Sequence, residues 1–171
     1  LVDKNCIDIG CGGGRYSRYL KNRGANVLAI DKYPEMIGDV YDQKINCVNC
    51  NMNNIPVKDS AYDLTLSIGV IHNATTVMEF NESIKEIYRV TNNSGKIILS
   101  LFTNDVITDD LSEYAPNLYK VKNRLPMVLL SKEQIEQILI ENGLRIACII
   151  DEHITDVDGG QRNVYTLLLE K

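Results

Sequence analysis

Asp8-Ile9-Gly10-Cys11-Gly12-Gly13-Gly14 constrains this chain more than any other stretch, because it follows an apolar strand-like start and runs directly into a helical pattern. Glycines at 10, 12 and 14 permit positive φ and leave no Cβ to hold a ligand away from the backbone. The helix that follows offers unpaired N–H groups at its first turn. Strand, glycine loop and helix in that order form a nucleotide-binding loop. A dinucleotide fingerprint, G-x-G-x-x-G, needs glycine or alanine at position 15, where helix and strand pack closely. Arg15 stands there instead, which disfavours a NAD(P)-dependent oxidoreductase.

Downstream, strand-like and helix-like segments alternate, the pattern of a parallel sheet covered by helices. Strands are expected at 5–9, 26–30, 45–50, 62–70, 96–102, 144–150 and 163–169. The first helix begins near Arg15, with Tyr16, Tyr19 and Leu20 on one face and Gly24 as its stop. Pro34 opens a short helix carrying Met36, Ile37 and Val40. Capping boxes at Thr76-Val77-Met78-Glu79 and Ser131-Lys132-Glu133-Gln134 open two more. The last two strands have no helix between them and are joined by a loop with Asp158-Gly159-Gly160, so the final strand should run antiparallel. The segment 104–130 fits neither period and is too long for a plain connection. It is the candidate functional loop, with Tyr114, Tyr119, Lys120, Lys122 and Arg124 as its reactive or charged content.

At 171 residues the chain suits one domain, 1–171, with a proper core. No apolar run approaches the roughly 20 residues of a membrane span, so a cytoplasmic protein without a membrane partner is expected. The net charge of −5 argues against a generic grip on nucleic-acid phosphates. The composition leaves the oligomeric state open. Five scattered cysteines suit a reduced protein, and Cys47-Val48-Asn49-Cys50 lacks the second pair that a structural zinc site requires, so no metal site is expected.

The spacing Asp-x-Gly-x-Gly-x-Gly resembles motif I of the class I S-adenosylmethionine-dependent methyltransferases (type 11/25-like domain). The stretches Asp63 to His72 and Tyr88 to Leu99 resemble later motifs of the same family. The likeness covers Cys6 to about Phe102 well, and the last third only by pattern. It implies a doubly wound, Rossmann-like α/β fold with a seven-stranded sheet, mostly parallel with an antiparallel last strand and helices on both faces. It also implies S-adenosyl-L-methionine as cofactor and S-adenosyl-L-homocysteine as product. By that resemblance Asp8, Gly10, Cys11, Gly12 and Gly14 hold the methionine and ribose, Asp31 accepts from the ribose hydroxyls with Lys32 beside it, and Asn51 and Met52 meet the adenine. Ser67 and Ile68 would line the methionine end. Asn51 replaces the commoner Asp, and the usual Pro before Gly95 is absent. Members commonly carry helices ahead of motif I, and those are expected to lie outside this sequence.

His72, at the exit of the 62–70 strand, is the candidate catalytic base or substrate-binding group, although a lone histidine at a strand end is more often structural; His153 is the weaker candidate. The acceptor is expected to be a small molecule. The Gly69-Val70-Ile71-His72 exit also looks like tRNA wobble-uridine methyltransferases, so tRNA is the alternative partner. A non-catalytic, cofactor-binding or partner-activating subunit is the reading of a different class. Under the first reading, 104–130 is a substrate lid.

Overall fold

Apolar runs in the first two thirds of the sequence become a stack of parallel strands in the computed structural model, which describes residues 1–121 and 126–171. The order is β1 Asn5–Ile9, α1 Arg15–Asn22, β2 Asn26–Asp31, α2 Pro34–Asp42, β3 Asn46–Asn49, β4 Tyr62–Ile68, a 3-10 turn Ile71–Asn73, α3 Val77–Val90 and β5 Thr91–Thr103. There follow β6 Leu111–Ala115, β7 Leu118–Val121, β8 Met127–Val128, α4 Lys132–Glu141, β9 Arg145–Val157 and β10 Gly160–Glu170.

Seven strands form one sheet in the order β3-β2-β1-β4-β5-β10-β9. All pairings from β3 across to β5 are parallel, whereas β10 is antiparallel to both β5 and β9, as the missing helix before it required. On one face Ile7, Ile9, Leu99 and Leu167 pack with Phe80, Ile84 and Ile87 of α3 and Ile135 and Leu139 of α4. On the other, Cys6, Val27, Ala29 and Leu66 pack with Leu20 of α1 and Val40 of α2. Successive strand residues alternate between these layers, so a one-residue change of register would exchange the two cores.

The capping box at Ser131 is complete, with Ser131 Oγ accepting from Gln134 N and Gln134 Oε1 accepting from Ser131 N. At Thr76 the reciprocal bond is displaced by one residue: Glu79 accepts from Thr75 N. The buried face of α1 is Ser17 and Leu20, not the expected Tyr16, Tyr19 and Leu20; Tyr19 is 53% exposed. Ser17 takes the inward place because a carboxylate waits for it there, as described below.

The segment 104–130 is not the irregular loop its mixed pattern suggested. It builds a second, three-stranded antiparallel sheet, β6-β7-β8. Pro116-Asn117 turns β6 into β7, with Asn117 at φ 64° and its amide donating to Glu113 Oε1. Leu111, Tyr119, Val121, Met127 and Leu129 form its small core, against which Phe102 packs. Asn104 N bonds to Leu130 O, so the segment leaves and rejoins the main sheet at one point. Lys122 and Arg124 lie outside the described residues.

Candidate cofactor cleft

The strand order reverses between β1 and β4, whose chains depart to opposite sides, and a crevice opens at the carboxyl ends of strands where this happens. A cleft of about 240 Å³ lies there, walled by Gly10, Asp31, Lys32, Tyr33, Cys50, Asn51, Met52, Val70, Asn73 and Glu79 among others.

The glycine loop is tied to the end of β2, because Gly10 N and Cys11 N both donate to Ile30 O. Gly10, Gly12 and Gly14 have φ of 71°, 50° and 76°. Their side-chain space differs. A Cβ at Gly10 would fall 2.4 Å from the Val70 methyls, while one at Gly12 would meet no atom within 4 Å. Gly10 is therefore fixed by protein packing, and Gly12 leaves open space beside the loop.

Asp31 closes the loop from the other side. Its Oδ2 accepts from Gly12 N at 3.0 Å and its Oδ1 from Tyr33 N at 3.0 Å. A carboxylate offers about four lone-pair sites, so two remain for hydroxyl donors once the loop is held. Asn49 Nδ2 and Cys50 N both donate to the Asp31 carbonyl, bringing the end of β3, and with it Asn51 and Met52, to the same wall.

Not every expected residue reaches this cleft. Asp8 is buried beneath the loop, where Ser17 Oγ donates to its Oδ2 at 2.5 Å; burial raises its carboxyl above the usual range, and Ser17 opposes that shift. Its place is that of a brace between β1 and α1. Cys11 is half-buried and packs beside the α1–α2 layer, its thiol pushed up to about 12 by burial and by Asp8 and Asp31. Gly14, where α1 begins, packs against Val40, and Ser67 is buried with an unpartnered hydroxyl. Ile68 faces the opposite side of the sheet and lines a separate groove with Leu64, Leu66 and Ile98. Period-two alternation explains this: with Ser67 on the α3 side, Ile68 must point away.

His72 also differs from expectation. Its ring is only 3% exposed and is stacked on Phe102, with centroids 4.2 Å apart. Phe102 N donates to Nδ1 at 3.1 Å, so the neutral ring carries its proton on Nε2 and has no free lone pair to receive another. Burial, aided by the positive charge of Arg162, lowers its pKa to about 3. This geometry runs against the base role. His153 sits on the edge strand β9, paired with Asp151 and away from the cleft.

The sequence reading missed Tyr33, Val70, Asn73 and Glu79 as wall residues. Glu79 was visible as a helix cap, and its accepting bonds from Thr75 N and Oγ1 place that cap at the rim. Val70 could have been sought as the partner that forbids a side chain at Gly10.

A doubly wound sheet with a glycine loop clamped by an acid at the end of β2 is the arrangement of nucleoside-binding α/β domains, and here Arg15 stands where the dinucleotide fingerprint has glycine or alanine. The chain belongs to the methyltransferase domain family, whose sequence model matches residues 7–99. It is 33% identical over 111 residues to an uncharacterized methyltransferase-like protein of Schizosaccharomyces pombe, covering 61% of this chain and 41% of that protein. Over 92 residues it is 30% identical to the probable tRNA methyltransferase 9B of Bos taurus, covering 54% and 20%. Over 88 residues it is 34% identical to the ubiquinone biosynthesis O-methyltransferase of Acinetobacter baumannii, covering 50% and 35%. It thus spans well under half the length of these relatives.

Two solved structures share the fold. A Methanosarcina mazei S-adenosylmethionine-dependent methyltransferase superposes with TM-score 0.83 at 16% identity, covering 100% of this chain and 93% of that one. A Burkholderia thailandensis 1,6-didemethyltoxoflavin-N1-methyltransferase, solved with bound 1,6-didemethyltoxoflavin and S-adenosylhomocysteine, gives TM-score 0.71 at 16% identity, covering 99% and 72%.

Proposed function

We propose that this methyltransferase acts on a small-molecule acceptor, with Asp31, Lys32, Gly10, Gly12, Asn51 and Met52 holding the cofactor. The observation that carries the acceptor reading is the small sheet. Strand β8 packs against the turn that bears His72, and Phe102 joins that turn to the sheet's core, so the small sheet stands beside the exit of β4, next to Val70 and Asn73 of the cleft wall. A sheet at that place would roof the acceptor's approach, which suits a compact acceptor. The chain's net charge of −5 points the same way.

The cofactor supplies a sulfonium whose methyl is electrophilic when bound. What the protein's residues must do is orient and exclude water, and holding two reactants in line accounts for several kcal/mol of barrier lowering. Asp31 would fix the ribose through its two remaining lone-pair sites. Asn51 Oδ1 would accept from the adenine amine, and Met52 would pack on the ring. Asp8 and Ser17 keep the loop from shifting by bracing β1 on α1. His72 serves as a positioning group: with Nδ1 occupied by Phe102 N it fixes the end of β4 against β5 and does not take the acceptor's proton.

Methyl transfer from tritium-labelled S-adenosylmethionine to a panel of phenols, heteroaromatic amines and carboxylates, run beside total tRNA, tests this reading. Labelled small-molecule product is expected. Label appearing in tRNA alone would replace the acceptor class, and cofactor binding with no transfer to either would favour a non-catalytic subunit.

A further inference from the structure

The turn between β9 and β10, singled out by its two glycines, does more than reverse the chain. Gly160 has ordinary φ, yet a Cβ there would lie 2.2 Å from both Asp110 Oδ1 and Thr108 Oγ1. Glycine is required because another segment occupies the space. That segment is the lead-in to the small sheet, since Asp110 immediately precedes Leu111, the first residue of β6.

Two adjacent residues of β10 grip this lead-in from opposite faces. Arg162, 1% exposed, donates through Nη1 to Asp110 Oδ1 and Thr108 Oγ1, both at 3.2 Å, and to Gln161 O at 2.7 Å; its Nη2 donates to Asp110 Oδ2. Thr108 Oγ1 in turn donates to Asp110 Oδ1 and accepts from Gln161 N. Asn163, 4% exposed, donates to Thr103 Oγ1 at 3.0 Å and to Asp105 Oδ2 at 3.2 Å. The Asp110 side chain is itself only 8% exposed, so this is a buried fork-to-carboxylate pair, planar at both ends and intolerant of a shift by either partner.

We infer that Arg162 is a positioning residue for the acceptor side of the site, gripping Asp110 so that the small sheet is held over His72 and Phe102 before any acceptor arrives. The inference rests on the reading that the acceptor enters beneath that sheet. A guanidinium suits the task because its rigid fork fixes both distance and angle, which a lysine cannot do. Removing one member of a buried pair leaves the other charged and unmatched, so the grip should open.

The test uses the full chain and two variants: Asp110→Asn, which keeps shape but removes the carboxylate charge and turns an amide donor toward the guanidinium, and the Arg162→Met, Asp110→Leu double variant, which leaves no unmatched charge. Hydrogen exchange of the 111–121 amides should rise at least tenfold in Asp110→Asn, and the ring-current shift of the His72 protons above Phe102 should diminish. Affinity for S-adenosylhomocysteine should stay within twofold of wild type in both variants. Unchanged exchange and an unchanged His72 signal in both would overturn the proposal. So would exchange rising equally in β1 and β4 with loss of S-adenosylhomocysteine binding, since Arg162 would then support the whole fold. Failure of the cofactor reading itself is distinguishable, because wild type would not bind S-adenosylhomocysteine.

Discussion

At the level of single residues, the carboxylate at the end of β2 holds its own loop with two of about four lone pairs, and in the proposed site the other two would take the ribose hydroxyls. Asp31 organises the loop through Gly12 N and Tyr33 N whether or not a ligand is present. Asp31→Ala should therefore cost more than the ribose contacts alone. Those charge-assisted bonds are worth on the order of 1.5–3 kcal/mol each, so calorimetry should show affinity for S-adenosylhomocysteine falling by at least tenfold. Affinity unchanged in that variant would place the ribose partner elsewhere. His72 gives a second test through pH. Its folded pKa is about 3, below the ordinary 6.5, so between those values the unfolded chain takes up a proton that the folded chain refuses. The stability contributed by a neutral His72 is complete above about pH 6.5 and is lost as pH falls toward 3. Denaturant titrations at pH 7 and pH 4.5 should show His72→Asn losing less stability on acidification than wild type. An equal or larger loss in the variant would mean the imidazole is not buried neutral.

Among the elements, the five parallel strands were legible because alternation and capping boxes act locally: each strand's apolar run and each helix's cap can be read within ten or so residues. The small sheet was not. Its strands have only five, four and two residues, and β6 buries only Leu111, so no period could accumulate. The Pro116-Asn117 turn was its one local sign. The loop glycines could be read as a class, but only the structure separates Gly10, fixed by Val70, from Gly12, which faces open space. Ile68 was misplaced because the family resemblance assigns a stretch, while the pleat assigns a face. The glycine pair in the last hairpin answers to a partner some fifty residues earlier, a separation at which sequence pattern carries nothing. Gly160→Ala should accordingly destabilise the attachment of the small sheet, since its methyl would meet Asp110 and Thr108. Limited proteolysis should cut within 104–121 faster in this variant, and equal cutting would show that the hairpin and the lead-in separate without consequence.

For the molecule as a whole, one crevice gathers what distant parts of the sequence supply: the loop after β1, the acid after β2, Asn51 and Met52 after β3, and Val70 and Asn73 after β4. The strand order puts those four loops together, and the family model's match over residues 7–99 takes in all four. The proposed acceptor side rests instead on β6–β8, α4 and the β9–β10 hairpin, beyond that match. No helix among the described residues is long and apolar enough to cross a membrane. The proposal that this crevice holds S-adenosylmethionine and not a dinucleotide is tested most directly by calorimetric titration of wild-type protein with S-adenosylhomocysteine and, separately, with NAD. One-to-one binding of S-adenosylhomocysteine without measurable binding of NAD is the predicted result, and binding of NAD with none of S-adenosylhomocysteine would contradict it.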